Sequence, residues 1–156
     1  MTEKSQINQI LEQFKHISET TASIRIEENN PTGRRIGGMF SMDSHTITLY
    51  KSEIFSQAEQ FFPGQDIFYD YLKVILAHEL GHANDPYLKV LAQRLENEQD
   101  FLKRKKIELV IEVQAWKFAR KLLMGDVPYH IFRKIRTESL AHYYESIDQL
   151  IKDNVA

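Results

Sequence analysis

His78 and His82 stand four residues apart with Glu79 beside the first, in the run Ala77-His78-Glu79-Leu80-Gly81-His82-Ala83. On a helix of about 3.6 residues per turn, that spacing sets both imidazoles on one face, one turn apart. Two neutral imidazoles so placed can hold one divalent ion, and the neighbouring carboxylate can reach a water on that ion. The chemistry this permits is hydrolysis. The ion acidifies water and polarises a carbonyl, and Glu79 moves the proton. The competing reading is a buried helix whose histidines only bond to their neighbours. The interposed Glu79 weighs against it.

A catalytic zinc ion usually takes three protein ligands and keeps a fourth position for water. The chain contains no cysteine, so the third ligand must be a histidine or a carboxylate. A long helix expected over about 101–124 offers Glu108 and Glu112. The stretch 107–119 around Glu112 is apolar on all sides, and a carboxylate buried there without a partner is costly. Coordination to a cation removes that cost. Ala115 and Ala119 continue the Glu112 face, and such small residues let two helices pack closely. Glu108 adjoins the basic run Lys103-Arg104-Lys105-Lys106 and has simpler partners there. Glu112 is therefore the expected third ligand. Gly81 within the motif helix costs up to about 1 kcal/mol against Ala. The expected return is close approach of another backbone or of substrate.

These residues need a frame. Leu72, Leu76, Leu80 and Ala83 form one stripe, and Tyr71, Ile75, His78 and His82 a second, so the helix at 67–83 should be central rather than superficial. Asp66 is its expected N-cap. Ile7, Ile10, Leu11, Phe14 and Ile17 predict an amphipathic helix over 3–19. Alternation predicts strands at 23–27, 35–41 and 45–50, joined by turns at Asn30-Pro31-Thr32-Gly33 and Asp43-Ser44. Pro86 should end the motif helix. Helices then follow at 87–98, at 101–124 with Gly125 as its stop, and at 128–153. No element is assigned between Tyr50 and Phe61. The expected fold is α+β: a small three-stranded antiparallel sheet packed on a mainly helical, zincin-like domain spanning 1–156.

Composition sets limits on function. The chain has 156 residues, 42% hydrophobic and 27% charged, which fits a single globular domain. The formal net charge of −2 provides no broad basic field for nucleic acid. The one dense basic run reads as the solvated start of a helix. No apolar stretch is long enough to span a membrane, and the N-terminal residues lead into no apolar signal core. Together with the lack of cysteine, the expected location is the cytoplasm.

The run at 78–83 combines with Glu112-Val-Gln-Ala-Trp-Lys-Phe-Ala119 and Leu122-Leu-Met124. This pairing resembles the ImmA/IrrE family of metallopeptidases, whose second motif runs Glu-x-x-Ala-x-x-Phe-Ala. The resemblance covers roughly residues 20–125. It implies zinc held by His78, His82 and Glu112, with Glu79 catalytic, in a gluzincin-like arrangement. It implies a sheet ahead of the motif helix, with 45–50 as the edge strand along the cleft. An extended substrate would then pair beside Thr46 and Thr48. It further implies an intracellular endopeptidase acting on a protein partner, such as a helix-turn-helix repressor of a prophage or mobile element. The alternative within the same fold is an antirepressor that binds its partner without cutting it.

Two positions depart from the family pattern: Trp116 stands where Asn is common, and Gly125 replaces Pro. An additional oxyanion donor is expected from a Tyr, His or Arg. Tyr143, His142 and Tyr129 are the candidates, with Tyr144 and His130 nearby, and packing or surface roles compete for each. Asn84 or Asp85 could orient the histidines. Trp116 reads as core, His45 as a turn residue and His16 as a helix-face residue.

Overall fold

The computed structural model describes residues 2–155. Helix α1 (Glu3–Ser18) starts where the Thr2 hydroxyl accepts from the Ser5 amide at 3.1 Å. It ends where Glu19 turns left-handed, and it buries Ile7, Ile10, Leu11 and Phe14. Strands β1 (Ser23–Glu27), β2 (Gly38–Ser41) and β3 (Thr46–Tyr50) form one sheet in the order β1-β3-β2. Then come α2 (Lys51–Phe61), α3 (Phe68–Ala83), α4 (Leu88–Asn97), α5 (Phe101–Leu122) and α6 (Tyr129–Val155). The α+β class is as expected.

The sheet itself corrects the expectation of an all-antiparallel arrangement. β2 pairs antiparallel with β3, but β1 pairs parallel with it, Ser23 opposite Thr46 and Glu27 opposite Tyr50. The turn at 30–33 does not close a hairpin. Asn30 accepts from the Thr32 amide and donates to the Arg34 carbonyl, at 3.0 and 3.1 Å, and the chain continues to the far side of β3. β3 is therefore the central strand. Thr46 and Thr48 have partners on both sides, so 45–50 has no free edge to offer a substrate. The free edge beside the cleft belongs to β2.

Two boundaries also move. The strand expected over 35–41 is regular only from Gly38, because β3 gives way directly to α2 at Tyr50 and leaves 34–36 without a ladder partner. The last rung is the Tyr50 amide on the Gly37 carbonyl at 2.8 Å. Asp66 does not cap α3. The cap position is Ile67, which makes no side-chain cap bond, and the first turn closes from the Tyr71 amide to the Ile67 carbonyl at 2.9 Å. The unassigned stretch after Tyr50 is α2, whose Ile54 and Ala58 are buried at helical spacing.

Helix α3 runs through the centre, with every residue from Tyr71 to Gly81 buried except Lys73. Ile47 and Leu49 are fully buried and belong, with Leu72, Leu76 and Leu80, to one continuous core. β2 lies directly on α3. A Cβ placed on Gly38 would sit 2.9 Å from Ile75 Cγ2 and 3.1 Å from Glu79 Cγ. Gly38 thus serves to bring a backbone edge over the motif helix. On the opposite side α5 makes the same kind of approach. A Cβ on Gly81 would come within 2.7 Å of Ala115 Cα and closer still to its carbonyl oxygen.

That contact gives a prediction with a decisive sign. Helix propensity alone would make Gly81→Ala stabilising by about 1 kcal/mol. The Ala115 backbone cannot yield as a side chain can, so Gly81→Ala should instead destabilise by about 1–3 kcal/mol. Chemical denaturation of the variant beside wild type measures it, and a stabilised variant would contradict the packing described.

Candidate metal centre

α3 carries three of the polar groups and α5 the fourth. His78 and His82 lie one turn apart on the face of α3 turned toward α5, their ring centroids 4.7 Å apart. Glu112 comes from the middle of α5, one turn before Trp116. Because Gly81 lets the backbones touch, the Glu112 side chain spans the gap. Its Oε2 lies 2.8 Å from His78 Nε2 and 3.1 Å from His82 Nε2. Glu79 meets the other side of His78, with Oε1 3.2 Å from Nδ1. Donor atoms of His78, Glu79 and His82 lie within 4.8 Å of one another. His78 and Glu79 are only 8% and 6% exposed.

The hydrogen bonds fix the protonation of His78. Both of its nitrogens face carboxylates, and a carboxylate can only accept, so both nitrogens carry protons. Burial alone would push the imidazole pKa down. The charges and hydrogen bonds of Glu79 and Glu112 outweigh it and raise it from 6.5 to about 10. Glu112 is partly buried, which opposes its ionisation. Its hydrogen bonds to His78 and His82 prevail and hold it well below the ordinary carboxylate range.

The donor set fits a divalent ion. Two imidazole nitrogens and one carboxylate oxygen converge, which is a ligand set of catalytic zinc sites. Ligands at about 2.0–2.1 Å in tetrahedral array stand about 3.3 Å apart, and the two separations from Glu112 Oε2, 2.8 and 3.1 Å, are near that value, while the donor atoms that lie within 4.8 Å of one another are those of His78, Glu79 and His82. Glu108 takes no part. It pairs with Lys105 at 3.0 Å.

The centre opens into a cleft of about 680 Å³. Gly37, Gly38, Met39 and Phe40 form one wall, and Ile135, Ser139, His142 and Tyr143 of α6 form the other. The residues proposed as oxyanion donors separate here. Tyr143 donates its hydroxyl to Glu112 Oε1 at 3.3 Å, holding the carboxylate oxygen that does not face the imidazoles. Burial, then the Glu112 charge, pushes that hydroxyl pKa up, so it remains a donor. His142 lines the cleft beside it, ring centroids 3.9 Å apart. Tyr129 does not line the cleft. It is 52% exposed under the Arg120 guanidinium at the start of α6. Tyr144 and His130 are exposed, and neither lines the cleft.

The expected orienting residues are engaged elsewhere. Asn84 donates to the Ser18 carbonyl at 2.9 Å, and Asp85 Oδ1 accepts from the Tyr87 amide at 2.9 Å. The residue that sequence reasoning missed is Trp116. It does belong to the core, but its indole also stacks on His78, centroids 4.4 Å apart at 21°. Its position four residues after Glu112 was the available signal, since that spacing aims both at α3.

Metal uptake must expel the Nε2 proton of His78. At pH 7, zinc titrated into the metal-free protein should release about one proton, read as a dependence of the calorimetric heat on buffer ionisation enthalpy. The same pKa gives a stability trend. In the metal-free protein the His78 contribution is complete below 6.5 and is lost as pH rises through about 10. Its melting temperature should therefore fall between pH 7 and 10, and zinc should remove that slope. A flat profile without metal would show that His78 is not held between the two carboxylates. Searches found no matching protein-family model, curated protein or solved structure.

Proposed function

We propose that this chain is a zinc-dependent intracellular endopeptidase, cytoplasmic and of the ImmA/IrrE type, that cleaves a protein partner. The observation that carries the reading is one carboxylate oxygen, Glu112 Oε2, within hydrogen-bond reach of the Nε2 atoms of both His78 and His82. A helix-turn-helix repressor of a prophage or mobile element is the partner class that the sequence resemblance supports.

His78, His82 and Glu112 would hold the zinc. Bound there, zinc supplies a water of pKa about 7 and polarises the scissile carbonyl. The rest falls to the chain. Glu79 Oε1 is tied to His78 Nδ1, and its free Oε2 would accept a proton from water and return it to the departing amine. Tyr143 fixes Glu112 from behind. His142, which lines the cleft, would donate to the developing oxyanion. The substrate backbone lies extended along the open edge of β2, where Gly38–Ser41 presents unpaired groups beside Glu79. Among the described residues no helix is long and apolar enough to cross a membrane.

Glu79→Gln separates catalysis from binding. It should leave zinc at wild-type stoichiometry and lower cleavage of the partner repressor by about 10²–10⁴-fold. Glu112→Gln should lose the metal. If Glu79→Gln still relieved repression in cells, the chain would act as an antirepressor by binding, and the peptidase reading would be wrong.

A further inference from the structure

Histidine ligands are ordinarily oriented through the ring nitrogen that faces away from the metal, by a carboxylate, carbonyl or water that takes no part in the chemistry. His78 lacks that arrangement. Its Nδ1 meets Glu79, the group that carries the travelling proton. A bond whose acceptor changes charge during each turnover is a poor way to fix a ring. The imidazole is held by something else.

We propose that Trp116 is the positioning residue of His78, its indole acting as a rigid plate that sets the plane of the imidazole. The inference rests on the zinc reading above. The two rings overlap at 4.4 Å and 21°. The plate is itself immobilised: Trp116 is 2% exposed, and Phe132, 3% exposed, packs edge-on to it at 5.8 Å and 67°. α5 presents Glu112 and Trp116 one turn apart, so a single helix face supplies both a ligand and the support for another ligand. The indole N–H has no hydrogen-bond partner among the described residues. Burying such a donor costs about 1–3 kcal/mol, so ring packing rather than hydrogen bonding holds the residue there. His82 has no comparable plate among the described residues; its ring contact is the edge-on one to His78.

The test compares wild type, Trp116→Phe and Trp116→Leu for zinc affinity, by competition with a chromophoric chelator, and for the absorption spectrum of the cobalt(II) form. Phe keeps a ring to stack; Leu keeps apolar bulk without one. Trp116→Phe should bind zinc within about threefold of wild type. Trp116→Leu should bind about 10–100-fold more weakly and alter the cobalt spectrum. Trp116 is the only tryptophan, so its fluorescence in the unmodified protein should change with one equivalent of zinc. That measurement stands even if a variant fails to fold. Wild-type affinity in Trp116→Leu, an equal loss in both variants with cooperative melting intact, or an unresponsive wild-type fluorescence would each overturn the proposal. Absence of zinc binding by wild type would instead overturn the peptidase reading itself.

Discussion

A carboxylate enters an apolar seam between two helices at Glu112, and the imidazoles of α3 are what make that burial tolerable. A buried, unpaired carboxylate on α5 would either stay neutral or force the helices apart. Here one of its oxygens faces two ring nitrogens, and the other accepts from Tyr143. Both contacts depend on the distance between the α3 and α5 backbones, and that distance is set by Gly81 against Ala115. The order of dependence is therefore clear. A missing Cβ sets the helix spacing, the spacing sets the reach of a side chain, and the reach creates the polar cluster.

How much of this was legible in the sequence follows from which interactions are local. The two histidines and Glu79 are fixed by helical periodicity alone. Glu112 was legible from chemistry, because an acid inside an apolar helix demands a partner. Gly81 was legible as an anomaly whose resolution needed the partner helix. The sheet was misread because its pairing is not local. Three alternating segments joined by turn residues look like a meander, and nothing in 23–50 announces that the connection after β1 passes over to the far edge. Only the parallel register of Ser23–Glu27 on Thr46–Tyr50 decides it. The error mattered, because it put the substrate edge on the one strand that has no edge.

The glycines at 37 and 38 carry the same lesson. Read locally, they weaken a strand. Placed over α3, Gly38 is what lets the strand lie on Ile75 and Glu79, and Gly37 faces Ile54 and Ile75. α2 and Trp116 were missed differently. The apolar spacing of Ile54 and Ala58, and the interval from Glu112 to Trp116, were both present, but each had a simpler reading as connection or core.

The electrostatics of the cluster would favour a cation of higher charge than a proton. His78 sits as an imidazolium between two carboxylates, Glu79 and Glu112. One positive charge then faces two negative ones at the floor of the cleft. A divalent ion on the Nε2 side, with His78 neutral, would balance the two carboxylates and still leave Nδ1–H to donate to Glu79. The imidazolium thus offsets only part of a charge that a divalent ion would balance. The apolar walls therefore do more than pack the helices. They raise the energetic cost of uncompensated charge, and a divalent ion held there would relieve more of it than the imidazolium does.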